Sequence, residues 1–176
     1  PYQQSISSSS ANKSLSKQLF PDFITTCVNL NPDYLSLITP SRWFAGDAQD
    51  KSFLKLREFF RKNNHIEKIV NFPASQDVFS GVGFPGAVNF FLYNTNYNGD
   101  VEFVEYKGDK NKIIQRRPLF EEGLSIILSD GLSYEILSKV KKSEVISLTT
   151  ITKGRNAFGI TGKQADGISF KVKKVE

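Results

Sequence analysis

Helix-like and strand-like segments alternate along residues 15–72 of this chain of 176 residues. Apolar residues recur at helical spacing over residues 15–28, with Pro21 as a kink or a second helix start. A short apolar run between two prolines follows at residues 34–39 and predicts a buried strand. This alternation is typical of an α/β layer with a parallel sheet. The residues that set the helical spacing are Leu15, Leu19, Phe23 and Cys27, flanked by Phe20, Ile24 and Val28.

The same pattern continues beyond the first strand. A second helix is predicted over residues 50–63, because Asp50 can cap its N-terminus and apolar residues share one face. Those apolar residues are Phe53, Leu56 and Phe60. Further strands are predicted at residues 66–72, 87–93 and 101–107, and a further helix at residues 132–142.

The predicted sheet is short of strands. A buried parallel strand such as residues 34–39 needs neighbours on both sides, and two or three strands make a poor sheet. The chain also contains no Met and opens at Pro1. We therefore expect it to be a piece of a larger protein, with part of the sheet encoded before Pro1.

Positive charge is concentrated in the second part of the chain. Residues 1–106 carry a net charge of −1, whereas residues 107–176 carry 14 basic and 8 acidic groups and a net charge of +6. A basic segment favours a polyanion such as nucleic acid, and an ordinary solvated surface is the alternative. Because the residue pattern also changes after Gly108, we place a domain boundary there.

Composition argues against several classes of protein. Cys27 has no second cysteine to pair with, and one His with one Cys is too few ligands for a structural zinc site. Magnesium held by carboxylates stays possible. The polar, Ser-rich start lacks the apolar core of a secretory leader, and we expect no membrane-spanning helix.

A glycine pattern at residues 81–86 reads Gly-Val-Gly-Phe-Pro-Gly and matches G-x-G-x-x-G. As a dinucleotide fingerprint, this motif must follow a strand and open a helix whose N-terminus holds the pyrophosphate. A strand at residues 87–93 is predicted to follow it instead. The pattern therefore favours a flexible loop.

Glu105 and Lys107 form an E-x-K pattern on a predicted strand. Many magnesium-dependent nucleases use such a pair, with carboxylates holding the ion and the lysine positioning water. The pattern needs an upstream acid, for which Asp77 and Asp100 are candidates. The alternative is that Glu105 and Lys107 simply face water. His65 has no acidic or nucleophilic partner at a telling spacing, so nothing supports a catalytic triad.

Residues 40–44 place basic and aromatic side chains directly after the first predicted strand. In open α/β sheets, ligands bind at the carboxyl ends of strands. Arg42 could contact a phosphate there. Trp43 could stack on a ring or pack within the protein, and the sequence leaves both open.

With these residues assembled, the chain resembles the C-terminal part of an adenine-N6 DNA methyltransferase of type II restriction-modification systems. That family has a Rossmann-like fold and an Asn-Pro-Pro-Tyr catalytic loop. The matching stretches cover most of residues 1–160, and their order and spacing together carry the likeness. They are YLSLITPSRWF at residues 34–44, IEKIVNFPASQDVF at 66–79, GAVNFFLY at 86–93, LSYEILSKV at 132–140, and Phe158 with Gly159.

The resemblance implies roles for three residues. Pro1 and Tyr2 would be the last two residues of the catalytic loop, with backbone at the proline level accepting the adenine amine and Tyr2 stacking on the base. The target adenine would be flipped out of the duplex, because a stacked base cannot present its amine to a methyl donor. Phe79 would contact the same base, and packing within its loop is the alternative.

The resemblance also implies S-adenosylmethionine as cofactor and no metal. Its Gly-rich turn and ribose-binding acid would lie before Pro1, together with the Asn and first Pro of the catalytic loop. We therefore expect residues 1–107 to be a partial catalytic core that is inactive and binds no methyl donor alone. Its partners would be the remainder of the parent chain and double-stranded DNA.

The expected fold is thus α/β, the latter part of a Rossmann-like methyltransferase sheet followed by a small α+β extension. The resemblance implies an antiparallel strand at residues 87–93, the start of a target-recognition region at residues 108–176, and a bacterial cytoplasmic location. A magnesium nuclease and a noncatalytic DNA specificity subunit remain alternatives. The candidates for DNA contact are Arg116, Arg117, Lys153 and Arg155.

Overall fold

The structure is a computed structural model that describes residues 3–5, 16–48, 50–81, 86–108 and 111–141. The chain divides into two compact units, residues 1–137 and residues 138–176. Of the second unit, the structure describes residues 138–141, which end a helix. Four predicted site residues lie outside the described residues, and these are Pro1, Tyr2, Lys153 and Arg155.

Strands and helices alternate in the first part of the chain, and strands predominate in the second. Short 3₁₀ helices follow two of the strands, at Ser41–Phe44 and Ser75–Asp77. In chain order the elements are β1 (Gln3–Ser5), β2 (Ser16–Gln18), α1 (Phe20–Asn29), β3 (Tyr34–Pro40), α2 (Ser52–Lys62), β4 (Ile66–Phe72), β5 (Val88–Asn94), β6 (Val101–Tyr106), β7 (Lys112–Arg117) and α3 (Gly131–Lys141).

Five of the strands form one mixed sheet in the order β3-β5-β4-β6-β7, and β1 pairs with β2 separately. Within the described sheet, β4 and β6 are the parallel neighbours, and the other pairs are antiparallel. The predicted antiparallel strand is confirmed, because β5 runs against both β3 and β4. β3 and β4 share one direction but are separated by β5. The parallel arrangement predicted for residues 15–72 is therefore correct for the directions of these two strands, but the two strands are not neighbours in the sheet.

β3 is an edge strand, and the prediction that it is buried is wrong. Its exposure alternates along the strand, and Tyr34 is 65% exposed. Within the described residues no strand pairs with its second edge. The sequence identified the strand but could not show how many neighbours it has.

α1 begins at Phe20, in agreement with the helix start that the sequence allowed at Pro21, and it buries the apolar residues predicted to flank the helical spacing. Pro21 lies in its first turn, where the missing N–H breaks no helical hydrogen bond. The buried residues are Phe20, Ile24 and Val28, whereas Phe23 is 60% exposed. The predicted start near residue 15 is wrong, because β2 occupies Ser16–Gln18.

One hydrophobic core joins α1 and α2 to one side of the sheet, which we call the helix face. The three residues predicted to share a face of α2 are all buried in it. The predicted cap Asp50 precedes the N-cap residue, which is Lys51, but its carboxylate accepts the Ser52 N–H at 3.0 Å. The core consists of Phe20, Ile24, Val28, Trp43, Phe44, Phe53, Leu56, Phe60, Ile66, Ile69, Phe91, Tyr93, Val101, Phe103, Leu119 and Ile127.

The opposite side of the sheet, which we call the far face, carries the alternate residues of each strand. A register shift between Ile66 and Lys68 lets Ile66 join the core while Lys68 lies on the far face. The strand pairing aligns one residue from every strand into a row across this face. The row consists of Ile38, Phe90, Val70, Val104 and Ile114.

α3 begins against the helix face at the end of β6. The Gly131 N–H donates to the buried Glu105 carboxylate at 3.0 Å, and the helix matches the prediction within one residue at each end. β7 was not predicted. It pairs with β6, so the proposed boundary near residue 108 falls between two paired strands.

Candidate functional site

Segments from three strands meet at one edge of the sheet. β3 and β4 run in the same direction, so their carboxyl ends lie at this edge, beside the start of β5. The Ser41 hydroxyl donates to the Asn71 side-chain oxygen at 2.7 Å, and the Ser41 N–H donates to the Ala87 carbonyl at 2.8 Å. The segment after β3 is therefore joined to the end of β4 and to the entry of β5.

A buried polar network fixes these strand ends. Asn89 donates through its side-chain amide to the Thr39 carbonyl at 3.1 Å and to the Ser41 hydroxyl at 3.2 Å. The Thr39 hydroxyl donates to the Asn89 oxygen at 3.3 Å. All of these side chains are buried, and strand pairing aligns Thr39, Asn89, Asn71 and Glu105 in one row on the helix face. Mutually satisfied buried polar groups hold one geometry, since any displacement leaves a group unpaired.

Phe79 lies on the loop between β4 and β5. It follows the short helix Ser75–Asp77, and its N–H donates to the Ser75 carbonyl at 2.9 Å. The side chain is half-buried, and the next described residues include Gly81, whose φ of +80° is in the region that favours glycine. The loop that bears Phe79 therefore leaves the same sheet edge as Ser41.

Arg42 and Trp43 are neighbours in the chain but point into different surroundings. Arg42 is exposed at the carboxyl end of β3. Trp43 is 0% exposed and its ring packs on Phe44 and Phe60, with centroids 4.9 and 5.4 Å away. Of the two roles that the sequence left open for Trp43, the structure shows packing.

The loop after β3 is held by an arginine that sequence reasoning missed. The Arg57 guanidinium donates through Nη1 to the Trp43 carbonyl at 2.8 Å and to the Gly46 carbonyl at 2.9 Å. Burial lowers the pKa of Arg57, and Asp47 and Glu58 offset part of this effect. A Cβ at Gly46 would lie 2.4 Å from the Arg42 carbonyl oxygen, so this loop requires glycine.

Arg116 and Arg117 lie on opposite faces of the sheet. Arg116 is exposed on the far face, 3.7 Å from the Glu102 carboxylate and 3.2 Å from the Tyr97 hydroxyl. Arg117 is buried between the rings of Phe103 and Tyr134 and donates to the Leu128 carbonyl. Burial lowers its pKa.

The nuclease alternative is not favoured. Glu105 is buried, accepts the Gly131 N–H and lies 2.9 Å from the Lys107 ammonium. Lys107 in turn lies 3.2 Å from Asp130, so a cation already occupies the space between these carboxylates. In the part of the chain that the structure describes, no three potential ligands converge on a metal site.

Two further expectations concern His65 and membranes. The His65 ring nitrogen lies 2.7 Å from the Tyr97 carbonyl, which agrees with a structural histidine. None of the helices among the described residues has the length and apolar character to span a bilayer.

Comparisons with known proteins agree with the resemblance. The family model of the Eco57I restriction-modification methylases matches residues 1–79. A protein of Mycoplasma pneumoniae described as an uncharacterized adenine-specific methylase is 34% identical over 99 residues, which is 56% of this chain and 23% of that protein.

A solved structure, the methyltransferase subunit of a type I restriction-modification system from Streptococcus thermophilus, matches 65% of this chain and 21% of its own, at 16% identity and a TM-score of 0.33. At that score the likeness is too small to support a shared fold. The chain thus spans about a quarter of the length of the curated relative. The segment that the Eco57I family model matches, residues 1–79, contains β3, the Arg42 segment and Phe79.

Proposed function

We propose that this chain supplies the target-base half of an S-adenosylmethionine-dependent DNA adenine-N6 methyltransferase of a restriction-modification system. One observation carries the proposal. The Arg42 segment and the Phe79 loop leave the carboxyl ends of two strands of like direction, and the Ser41–Asn71 hydrogen bond of 2.7 Å joins those ends. Ligands of open α/β sheets bind at such an edge.

The proposed site holds a flipped adenine between aromatic side chains. Tyr2 stacks on the base and Phe79 contacts it from its loop, while backbone at Pro1 accepts a hydrogen bond from the exocyclic amine. Aromatic stacking offsets the free-energy cost of taking the adenine out of the duplex, which is a few kcal/mol per base. Trp43 is not part of this site, because its ring is enclosed by core residues.

The chemistry is a direct transfer in which this chain orients the amine. Bound S-adenosylmethionine supplies the methyl group. The buried network of Thr39, Asn71 and Asn89 keeps the site edge rigid, so the base meets the donor in a fixed geometry. The element that follows the glycine pattern is the strand β5, so the pattern lacks the helix N-terminus that holds a pyrophosphate in dinucleotide-binding folds. We therefore propose that the donor pocket lies in the parent protein outside residues 1–176.

The parent protein is also proposed to complete the sheet. Among the described strands, none pairs with the outer edge of β3, and its residues Tyr34 and Ile38 are 65% and 50% exposed. A strand added there would satisfy the backbone of β3 and cover both side chains.

Double-stranded DNA would bind at the site edge through Arg42 and, from the target-recognition region, through Lys153 and Arg155. A bacterial cytoplasmic location stays a prediction.

Methylation by the full-length parent protein tests this function. The full-length protein is expected to form N6-methyladenine in unmethylated bacterial DNA, detected by mass spectrometry, whereas the 176-residue chain forms none. F79A is expected to lower the rate at least tenfold, and the matched variant F79Y, which keeps an aromatic ring, is expected to retain most activity. Absence of N6-methyladenine with the full-length protein would refute the function, and full activity of F79A would remove Phe79 from the site.

Donor binding can be tested on the chain alone. Calorimetry with S-adenosylmethionine is expected to show no measurable binding, because the proposed donor pocket lies outside this chain. Micromolar affinity for the 176-residue chain would contradict the placement of that pocket.

The salt dependence of DNA binding tests the proposed contacts. Changing Lys153 and Arg155 together to Ala is expected to lower the slope of log affinity against log salt by about one to two, because each contact releases roughly one counterion. K62A serves as a control, since Lys62 is exposed at the end of α2, away from the site edge. An unchanged slope in the double variant would exclude both residues from the interface.

A further inference from the structure

We infer that Arg57 is a positioning residue for the site edge: its guanidinium fixes the backbone of the segment after β3, residues 41–47, so that the Arg42 side chain meets a DNA phosphate in one place. Arg57 lies on α2 and is buried, so it acts through this segment and not on the DNA. The inference rests on the proposed function, because it takes Arg42 to contact DNA at that edge.

The segment after β3 exposes one residue between buried ones. Ser41, Trp43 and Phe44 are buried, whereas the Arg42 side chain is exposed. An exposed arginine side chain is long and has many rotamers, so the place where its backbone is held limits which phosphate it reaches. A positioning residue for this contact therefore has to control the backbone at Arg42.

Four carbonyl groups of this segment accept hydrogen bonds that hold it in place. The Gly46 N–H donates to the Arg42 carbonyl at 2.7 Å, and the Ile127 N–H donates to the Phe44 carbonyl at 2.8 Å. The two other carbonyls, those of Trp43 and Gly46, accept from a side chain of α2. A single substitution on α2 can therefore release two of the four bonds.

Both of those bonds come from one nitrogen of Arg57. Nη1 donates to the Trp43 carbonyl at 2.8 Å and to the Gly46 carbonyl at 2.9 Å. The two N–H groups of this nitrogen are fixed in the guanidinium plane, so they hold the two carbonyls at a set separation. A lysine ammonium is a rotatable point charge without this planar fork. The substitution R57K therefore keeps the charge and loosens the geometry.

The burial of Arg57 carries a free-energy cost that filling space does not require. The residue is 3% exposed, and its Nε has no hydrogen-bond acceptor among the described residues. The Asp47 carboxylate lies 3.9 Å from Nη2 and is almost fully exposed, so it compensates the buried charge only weakly. An apolar side chain would fill the same space without the cost of taking a charge out of water. The bonds to the two carbonyls are what the arginine contributes.

Gly46 offers a second way to disturb the same segment. A Cβ at Gly46 would lie 2.4 Å from the Arg42 carbonyl oxygen. G46A therefore pushes the backbone at Arg42 away from Gly46 without changing any residue of α2.

DNA binding by the full-length protein tests the inference. The affinity for a fluorescent DNA duplex of mixed sequence is measured by anisotropy at several salt concentrations for R42A, R57K and the double variant R42A/R57K. R42A is expected to lower the slope of log affinity against log salt by about one, because one phosphate contact is lost. R57K is expected to weaken binding about fivefold and to lower the slope in the same way, and the double variant is expected to bind no more weakly than R42A.

R61K is the matched control on the same helix. Arg61 lies one turn after Arg57 and donates to the Leu124 carbonyl at 2.8 Å, so it makes the same kind of bond to a segment that does not carry Arg42. The affinity and the slope of R61K are expected to equal those of the unaltered protein. Circular dichroism verifies the folding of each variant.

The remaining outcomes overturn the inference or decide it through the second variant. An unchanged slope in R42A or R57K, an equal effect in R61K, or additive losses in R42A/R57K would show that Arg57 does not act through Arg42. If R57K fails to fold, G46A is expected to lower the slope without adding to the loss of R42A, and additive losses there would refute the positioning role.

Failure of the inference and failure of the proposed function give different results. A full-length protein that forms no N6-methyladenine but shows the expected binding pattern would refute the methylation and keep the role of Arg57. A protein that methylates DNA while R42A and R57K act additively would do the reverse.

Discussion

The helix face and the far face of the sheet are built from the same strands but have different surroundings. The helix face carries the core, the polar row of Thr39, Asn89, Asn71 and Glu105, and the start of α3. The far face carries apolar rows that none of the described helices contacts as part of the core, together with a row of ion pairs. The difference shows that the same strands bury their core residues on one face and carry exposed residues such as Ile38 and Ile114 on the other.

Neighbouring residues of β7 show the same contrast at the level of single side chains. Arg117 is enclosed by two aromatic rings on the helix face, while Arg116 stays exposed on the far face. Because successive side chains of a strand point to opposite faces, two identical residues acquire different roles. Counting basic residues therefore overestimates the charge that is available for DNA.

The largest expected difference between the faces is in apolar packing. F60A removes a ring that is 0% exposed and contacts Trp43 and Phe91, so we expect the free energy of unfolding to fall by about 3–5 kcal/mol. F90A on the far face is expected to cost about 1–2 kcal/mol, because its ring is only half-buried. Urea denaturation of the 176-residue chain measures both, and equal losses would break the comparison.

The two arginines of β7 sharpen the comparison for charge. R117A removes a buried guanidinium that bridges two rings and donates to a carbonyl, and we expect a loss of about 2–3 kcal/mol. R116A removes an exposed ion pair and is expected to cost about 0–1 kcal/mol. Thermal and urea denaturation of both variants provide the measurement. A larger loss for R116A than for R117A would show that the far face is more enclosed than described.

The glutamates of β6 form a third matched pair. E105A leaves the buried Gly131 N–H without its acceptor, so we expect a loss of about 2 kcal/mol, whereas E105Q keeps an acceptor oxygen and is expected to lose less. E102A on the far face is expected to cost at most about 1 kcal/mol. If E105A proves neutral in denaturation experiments, the start of α3 does not depend on β6.

The smallest expected effect is the pH dependence of the Glu102 pair. The hydrogen bond from Lys68 lowers the pKa of Glu102, and the nearby positive charges act in the same direction. A carboxyl with a lowered folded pKa stabilises the fold above its unfolded value, which is about 4.3, and loses this contribution as pH falls through the folded value. The stability difference between the unaltered chain and E102Q should therefore shrink in acid. A difference that stays constant with pH would exclude this linkage.

Local patterns in the sequence predicted the elements that depend on local physics. α2 lies within the predicted range, although its N-cap residue is Lys51 rather than Asp50, and β4 matches residue for residue. Helical spacing and strand bounds depend on adjacent residues, which the sequence shows directly. β3 was located correctly, but its exposure depends on neighbours that the sequence does not reveal. β7 was missed because two consecutive isoleucines and two consecutive arginines hide the alternation of apolar and polar residues. In the structure, the two members of each pair point to opposite faces of the sheet.

The site was predicted less well than the fold. Arg42 and Phe79 do leave the same sheet edge, but Trp43 packs in the core, and the inward polar row of Thr39, Asn71 and Asn89 went unnoticed. A polar residue within a strand suggests a solvent-facing position, and only the partners across the sheet show that these side chains satisfy one another. The signal that could have indicated them is a polar residue in phase with the buried positions of its strand.

The position of β5 has a consequence for how the chain folds during synthesis. β5 is the shared neighbour of β3 and β4, yet it is translated after both, and Tyr34 near the start of β3 pairs with Asn94 at the end of β5. The ribosome must therefore release residues 88–94 before the two earlier strands can join one sheet, which makes this step non-local and slow. A nascent chain stalled at residue 79 would present both strands unpaired to chaperones and proteases.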